Sequence, residues 1–295
     1  DANRPIALEQ LTNDKWKRTA ADLWKRLTQN ARTSFPAGAN ITEVVIVPDA
    51  ALWYLPFGAM PVEADGATVP LAKAVRLRHA PLVSVALSGD RPRRQGGRSA
   101  VVLGRLLPRD DAEVAAAEFD SLSAALPGAV SVKGVLAMPA AVYSRLFDRV
   151  VVLSDMSEQD KGPYGWSPLP LDRTSADGSL AAWIGLSLPG PEQLVLPGFH
   201  SPAEAALKRQ GPDGAGQDLF LTSCALSAAG VRTTLLSLWR PGGQTSFDLV
   251  REFMQELPHQ SAAGAWQRAV SLAVSSPVDP AVEPRVEISP KKTPP

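Results

Sequence analysis

Near the start of the chain, apolar residues recur at helical spacing. In DKWKRTAADLWKRLTQNART, Asp14 to Thr33, the residues Trp16, Ala20, Leu23, Trp24 and Leu27 fall on one side of a 3.6-residue repeat, with Lys and Arg between them. Pro36 and Gly38 mark the end of this helix. The pattern then becomes extended. Val44 to Val47 is a β-branched strand turned by Pro48-Asp49, and Leu52 to Leu55 reads as a second short strand stopped by Pro56. Val75, Leu77 and His79 alternate as in a strand and lead into a short helical piece.

Beyond a Gly-rich basic loop the grammar is regular. SAVVLGR is a strand. DDAEVAAAEFDSLSAALPG is a helix, opened by acidic residues that suit its N-terminus and closed by Pro-Gly. AVSVKG is a strand, and MPAAVYSRLF is a helix with Pro139 in its first turn. RVVVLS, EQLVLPG and VRTTLLSLW are strands; SPLPLD reads as a further short one. GSLAAWIGL, SPAEAALKRQ and QDLFLTSCALSAAG are helical, and QTSFDLVREFMQELP and SAAGAWQRAVSLAVSS are closing amphipathic helices. Strands of four to eight apolar residues alternating with helices predict an α/β fold, with a mostly parallel sheet covered on both faces. No fixed-period repeat argues for a solenoid or propeller. The tail SPVDPAVEPRVEISPKKTPP lacks apolar periodicity and is expected to be extended or disordered.

Composition narrows the function classes. Thirty basic residues balance thirty acidic ones, so the chain as a whole has no field to draw nucleic acid or an anionic membrane to it. The run Arg91 to Arg98, RPRRQGGR, reads as a solvated loop. Cys224 is the one cysteine, which rules out an intrachain disulfide and fits a reducing cytoplasm. No apolar run approaches the roughly 20 residues of a membrane helix, and no signal peptide is visible. The chain opens at Asp1 without Met and is expected to be excised from a longer protein.

Four stretches, in order, carry a family resemblance: VVIVPDAALWYLPFGAM; RLRHAPLVSVAL; GSLAAWIGLSLPGPEQLVLPGF; and ALSAAGVRTTLLSLWRPGGQTSFDLVREFMQEL. Together they resemble a CHAT domain, the caspase-like peptidase domain of the clan that also holds separase and gingipain. In that family a strand ends in Pro-Asp and a second segment ends in Leu-Pro-Phe. A Pro-Ser pair starts a helix, where this chain has Pro81 and Leu82. A helix ends Ala-Gly-Ala and a strand ends Ser-Leu-Trp, where Ala229-Gly230 and Ser237-Leu238-Trp239 stand here. The resemblance spans residues 20 to 275. It implies a caspase-like three-layer sandwich over residues 39–276, preceded by a helical linker and a hairpin-like leading segment (the linker being 1–38) and followed by a disordered Pro-rich tail, 277–295.

The same resemblance locates the catalytic dyad. The family's His ends a strand written as hydrophobic residues followed by Ala-Thr-His-Gly, and its Cys ends the next parallel strand, Leu-Ser-Ala-Cys. VVVLSDMSE places Asp155 at the His position and Met156 at the Gly. LVLPGFHSP places Phe199 at the Cys position. A cysteine peptidase needs a thiolate and a group that exchanges a proton near neutral pH, and a benzyl group supplies no nucleophile. Nor can a carboxylic acid without a nucleophile run covalent acyl transfer.

Other residues are candidates for displaced chemistry. Cys224 lies in the apolar helix LFLTSCALSAAG, where a small buried hydrophobe and a relocated nucleophile are both open readings. His200 follows Phe199 directly, as a loop residue or a ligand contact. His79 and His259 have no nameable partner, and three scattered histidines with one cysteine give no metal-ligand spacing. GPDGAGQDLF has no strand directly before it and no Lys-Ser/Thr after it, so it reads as a flexible loop rather than a phosphate cradle. Asp155, Trp166, Phe199, His200, Trp239 and Arg240 gather at one sheet rim on this reading. They form either a groove for a peptide or a filled former cleft.

The expected function is therefore a catalytically inactive CHAT-like module of a larger bacterial protein. Its partner would be a protein or peptide, including a helical-repeat region of the same polypeptide, since CHAT domains often follow TPR arrays. No cofactor, metal, nucleic acid or membrane is expected, and the location is cytoplasmic. Two alternatives stand beside it: an active peptidase using Cys224 or Asp155 in a non-standard site, and a small-ligand-binding α/β domain.

Overall fold

The computed structural model describes residues 6–7, 13–33, 40–64, 66–87, 97–104, 112–126, 128–134, 140–153, 184–187, 189–198, 216–238, 244–280 and 286–287. Its centre is a five-stranded sheet of β6 (Ser99–Leu103), β7 (Val130–Lys133), β8 (Arg149–Leu153), β9 (Gln193–Leu196) and β10 (Thr233–Leu236). The spatial order is β10-β9-β8-β6-β7, and every pairing is parallel. This is the parallel sheet that the strand and helix alternation predicts.

Alternation along the strands sends side chains to two apolar layers. Ala100, Val102, Val150, Val152, Leu194 and Leu196 face one layer; Val101, Val151, Leu153 and Val195 face the other. Nearly all are fully buried, so the three central strands read as continuous apolar runs. The first face is covered by α5 (Ala140–Ser144), through Tyr143 and the following Phe147, and by α6 (Gln217–Ala228), through Leu219 and Leu226. The second is covered by α4 (Ala112–Ala125), α7 (Gln244–Glu256) and α8 (Ala262–Ser275), which contribute Phe119, Phe253, Met254 and Ala265. The result is a three-layer sandwich.

Connection handedness explains which helix lies where. From β6 to β7 the chain moves outward and α4 lies on the second face. From β7 to β8 it moves back, and α5 lies on the first. Reversing direction requires the opposite face if both crossovers are right-handed. The step from β9 to β10 continues in the direction of β7 to β8, and α6 keeps to the first face.

A smaller layer precedes this sheet. After α1 (Lys15–Thr33), β2 (Glu43–Ile46) pairs in parallel with β5 (Arg76–His79), followed by α3 (Val83–Ala86). Between them, β3 (Pro61–Ala64) and β4 (Ala67–Pro70) form an antiparallel hairpin that runs into α2 (Leu71–Ala74). The strand expected at Leu52–Leu55 is instead a 3-10 turn, Ala50–Tyr54. Ala50 has φ +46°, which takes the chain out of extended geometry just after Asp49. The turn directs Trp53 and Tyr54 into the first face of the large sheet. Phe57, Met60, Leu71 and Leu77 form the small layer's own core, against which Leu23 and Trp24 of α1 pack. Helix α8 joins the two layers: it packs on α7, α2 and β5, and Gln267 Nε2 donates to the Lys73 carbonyl at 3.0 Å. Ser261 caps it, its Oγ accepting from the Gly264 amide at 3.1 Å.

Within the proline-rich tail, β11 (Val286–Glu287) pairs in parallel with β1 (Ile6–Ala7). Among the described residues, no helix is long and apolar enough to cross a membrane.

Candidate functional site at the carboxyl edge of the sheet

Because all five strands are parallel, their carboxyl ends share one edge. In open α/β sheets that edge holds the crevice where ligands and chemistry are placed, at the point where strand order reverses. Here the reversal lies between β6 and β8. The ladder continues slightly past the strands there. The Gly104 amide donates to the Leu153 carbonyl at 3.0 Å, and the Gly134 amide donates to the Leu103 carbonyl at 3.0 Å. Leu153, Leu196 and Gly198 are buried at this edge, so the described strands end in a dehydrated base.

Asp155, Trp166, Phe199, His200, Trp239 and Arg240 all lie outside the described residues. What the structure places is the framework that launches their segments. Asp155 follows the end of β8 by two residues. Phe199 follows Gly198 directly, and Trp239 follows Leu238 directly. β8, β9 and β10 are consecutive neighbours in the sheet. Val150 pairs with Leu194 and Val151 with Val195.

The lone thiol belongs elsewhere in the framework. Helix α6 runs back down the first face, and the Ala229 carbonyl just after it accepts from the Gly190 amide at 2.7 Å, at the opposite edge. Cys224 stands five residues above that anchor, about 7.5 Å along a helix. Leu196 stands six residues above Gly190, about 20 Å along a strand. The thiol thus sits low on the sheet, well short of the carboxyl edge. Cys224 is partly exposed, and burial pushes its pKa up, which keeps it protonated at neutral pH.

His79 ends β5, with its ring 6.0 Å from that of Phe57. Desolvation pushes its pKa down to about 4. The residue nonetheless keeps an exposed surface. Water reaching the imidazole opposes that push. His259 follows α7 at the far end of the second face. Among the described residues, no group of three His, Cys, Asp or Glu side chains could hold a metal ion.

The amino edge of the sheet carries a polar arrangement that sequence patterns do not show. Arg145 Nη1 donates to the Ala229 carbonyl at 2.8 Å, and its guanidinium pKa is lowered by burial. Arg149 Nε donates to Gln193 Oε1 at 2.6 Å, Arg232 pairs with Glu192 at 2.7 Å, and the Arg98 amide donates to Asp148 Oδ2 at 3.0 Å. These contacts tie the strand starts to one another and to the end of α6. Tyr143, pressed against Phe147 at 5.0 Å on the first face, has its hydroxyl buried without a hydrogen-bond partner among the described residues. Burial alone raises its pKa.

Compared with known proteins, the chain matches no family model, and no curated protein or solved structure is significantly similar to it.

Proposed function

We propose that the chain is a CHAT-like pseudopeptidase domain, a caspase-like scaffold that serves as a protein-interaction module of a larger cytoplasmic bacterial protein. One observation carries this reading: β8 and β9 are adjacent, parallel and buried at the middle of the sheet. The segments holding Asp155 and Phe199 therefore start from neighbouring strand ends, as the resemblance requires of a dyad. In the family those two places hold an imidazole and a thiol. Here they hold a carboxyl group and a phenyl ring, which cannot attack a carbonyl together. The thiol the chain does possess is low on α6 and held in its protonated form. The partner on this reading is a protein or peptide held in a groove that includes Trp166, His200, Trp239 and Arg240, aromatic and cationic groups of the kind that dominate binding energy at interfaces.

The test is incubation of the protein with a combinatorial peptide library, followed by intact-mass measurement after treatment with thiol-reactive peptidyl probes. Peptides recovered bound and uncleaved, with no covalent adduct and with weaker capture by Trp166→Ala and Trp239→Ala, support the reading. Cleaved peptides, or a probe adduct on Cys224, refute it and favour an active peptidase.

A second reading has one observation in its favour. The strand order reverses between β6 and β8, the place where doubly wound sheets bind small ligands. A nucleotide or metabolite that raises the melting temperature in proportion to the logarithm of its concentration would support it.

A further inference from the structure

Helix α1 presents more interaction surface than its own domain uses. Its apolar stripe runs from Trp16 through Leu23 and Trp24 to Leu27, but only the middle is covered. Leu23 and Trp24 pack on the small layer, where α1 meets β3. Trp16 and Leu27 remain 47% and 41% exposed, and none of the helix's described side chains is buried. The two open ends lie eleven residues apart, about 16 Å along the axis.

The polar side of this helix is strongly one-signed. Residues 15–33 contain six Lys or Arg and one acidic residue, Asp22. Lys17 pairs with Asp14 at 2.6 Å, whereas Lys15, Arg18, Lys25 and Arg26 are exposed and make no ion pair among the described residues. The chain as a whole is neutral, so this is a local excess. By helical position Lys15 and Arg26 flank the open ends of the stripe on the same side.

We infer that α1 is a docking site for a second amphipathic helix, one with apolar residues along a single stripe and Glu or Asp beside them. Charge complementarity sets the sign of the partner. Geometry sets its shape: β3 and the small layer's core cover the centre of the apolar stripe, so a flat lipid surface laid on the stripe cannot meet both open ends at once. A helix lying beside α1 can reach Trp16 and Leu27 while its acidic flanks meet Lys15 and Arg26. None of these α1 residues is among those named at the carboxyl edge of the sheet, and the inference does not depend on the function proposed there.

The experiment titrates the full chain with a synthetic 18-residue helical peptide carrying leucines at positions i, i+4, i+7 and i+11 and glutamates on both flanks. The readouts are calorimetry and tryptophan fluorescence. Controls are the same peptide with lysines for glutamates, and phosphatidylserine vesicles. The acidic peptide is expected to bind at least tenfold more tightly than the lysine peptide. Its affinity should fall about tenfold in Trp16→Ala and in the Lys15→Glu/Arg26→Glu double variant, both exposed changes whose folding is checked by thermal melts. Failure of the acidic peptide to bind, equal binding of the lysine peptide, unchanged affinity in the charge-reversal variant, or vesicle binding as tight as the peptide's would each overturn the inference.

Discussion

The backbone carbonyl of Ala50 occupies the space where a Cβ on Gly216 would stand, and both residues have positive φ, +46° and +88°. The turn that follows β2 is thereby seated on the first turn of α6, with Trp53 wedged beside it. The small layer and the large sheet share this contact. Gly216→Ala adds a methyl group against backbone and strains a left-handed residue, costs that together come to about 2–3 kcal/mol. Urea unfolding should show a clearly lower midpoint with an unchanged slope. Ala50→Gly removes the penalty of about 1 kcal/mol for a left-handed alanine, offset by added freedom in the unfolded chain, so its stability should equal or exceed the parent's. A Gly216→Ala protein as stable as the parent would mean that the turn can leave the helix at no cost.

His79 sets a pH dependence with a defined sign. Its folded pKa is depressed toward about 4 by desolvation from an unfolded value of 6.5. Above pH 6.5 both states are neutral at this residue and its contribution is fully present. As pH falls from 6.5 toward 4, the unfolded chain takes up the proton first, and stability declines. The residue's exposed surface makes this slope shallow. His79→Gln should flatten the stability profile between pH 6.5 and 4 and leave the value at pH 8 nearly unchanged. An equally steep profile in that variant would assign the acid sensitivity to other groups.

Most of the large sheet was legible because each strand is a short apolar run and each helix carries its own period. The runs 99–103, 149–153 and 193–196 sit where the alternation puts them, and the helices from 244 onward do as well. The strand expected at Leu52–Leu55 failed for a local reason: one left-handed alanine turned an apolar stretch into a 3-10 turn that packs sideways on a sheet face. The hairpin at 61–70 was missed because Pro61 and Pro70 bound it and its alternation is only four residues long. The polar ties at the amino edge were not legible either. Arg145, Ala229 and Gly190 are far apart in sequence, and nothing local in a lone arginine or glycine signals that they meet. At the candidate site the residues come from the family resemblance alone, and the fold shows only the neighbouring strand ends that precede their segments.

Arg251 bridges two helices of the second face. Its guanidinium reaches Glu118 on α4 at 3.0 Å and Asp248 on its own helix, and Gln244 Nε2 donates to the same Glu118 carboxylate at 2.6 Å. Glu118 and Arg251 side chains are 13% and 25% exposed, so the pair is more than a solvated surface bridge. Arg251→Ala leaves a mostly buried carboxylate with less compensation and should cost about 1–2 kcal/mol. A double-mutant cycle with Glu118→Ala should return a coupling of about 1 kcal/mol. Additive single effects would show that the Arg251–Glu118 pair adds nothing to the joining of α4 and α7.

Cys224 offers the sharpest chemical check on the inert-scaffold reading. A peptidase nucleophile has a depressed thiol pKa and alkylates quickly at neutral pH. The thiol of Cys224 has the opposite bias, because burial raises its pKa. Iodoacetamide should therefore modify it more slowly at pH 7 than it modifies a small free thiol such as glutathione. Its rate should keep climbing with pH beyond the point where the free thiol's rate levels off. Urea should bring the two rates together, since unfolding removes the desolvation. Cys224→Ala, which loses only a sulfur from a partly exposed helix position, should melt within a few degrees of the parent. If Cys224 instead alkylates faster than glutathione at pH 7, some cation or imidazole must lie beside it in the folded chain. In that case a displaced catalytic site would become the better reading of this protein.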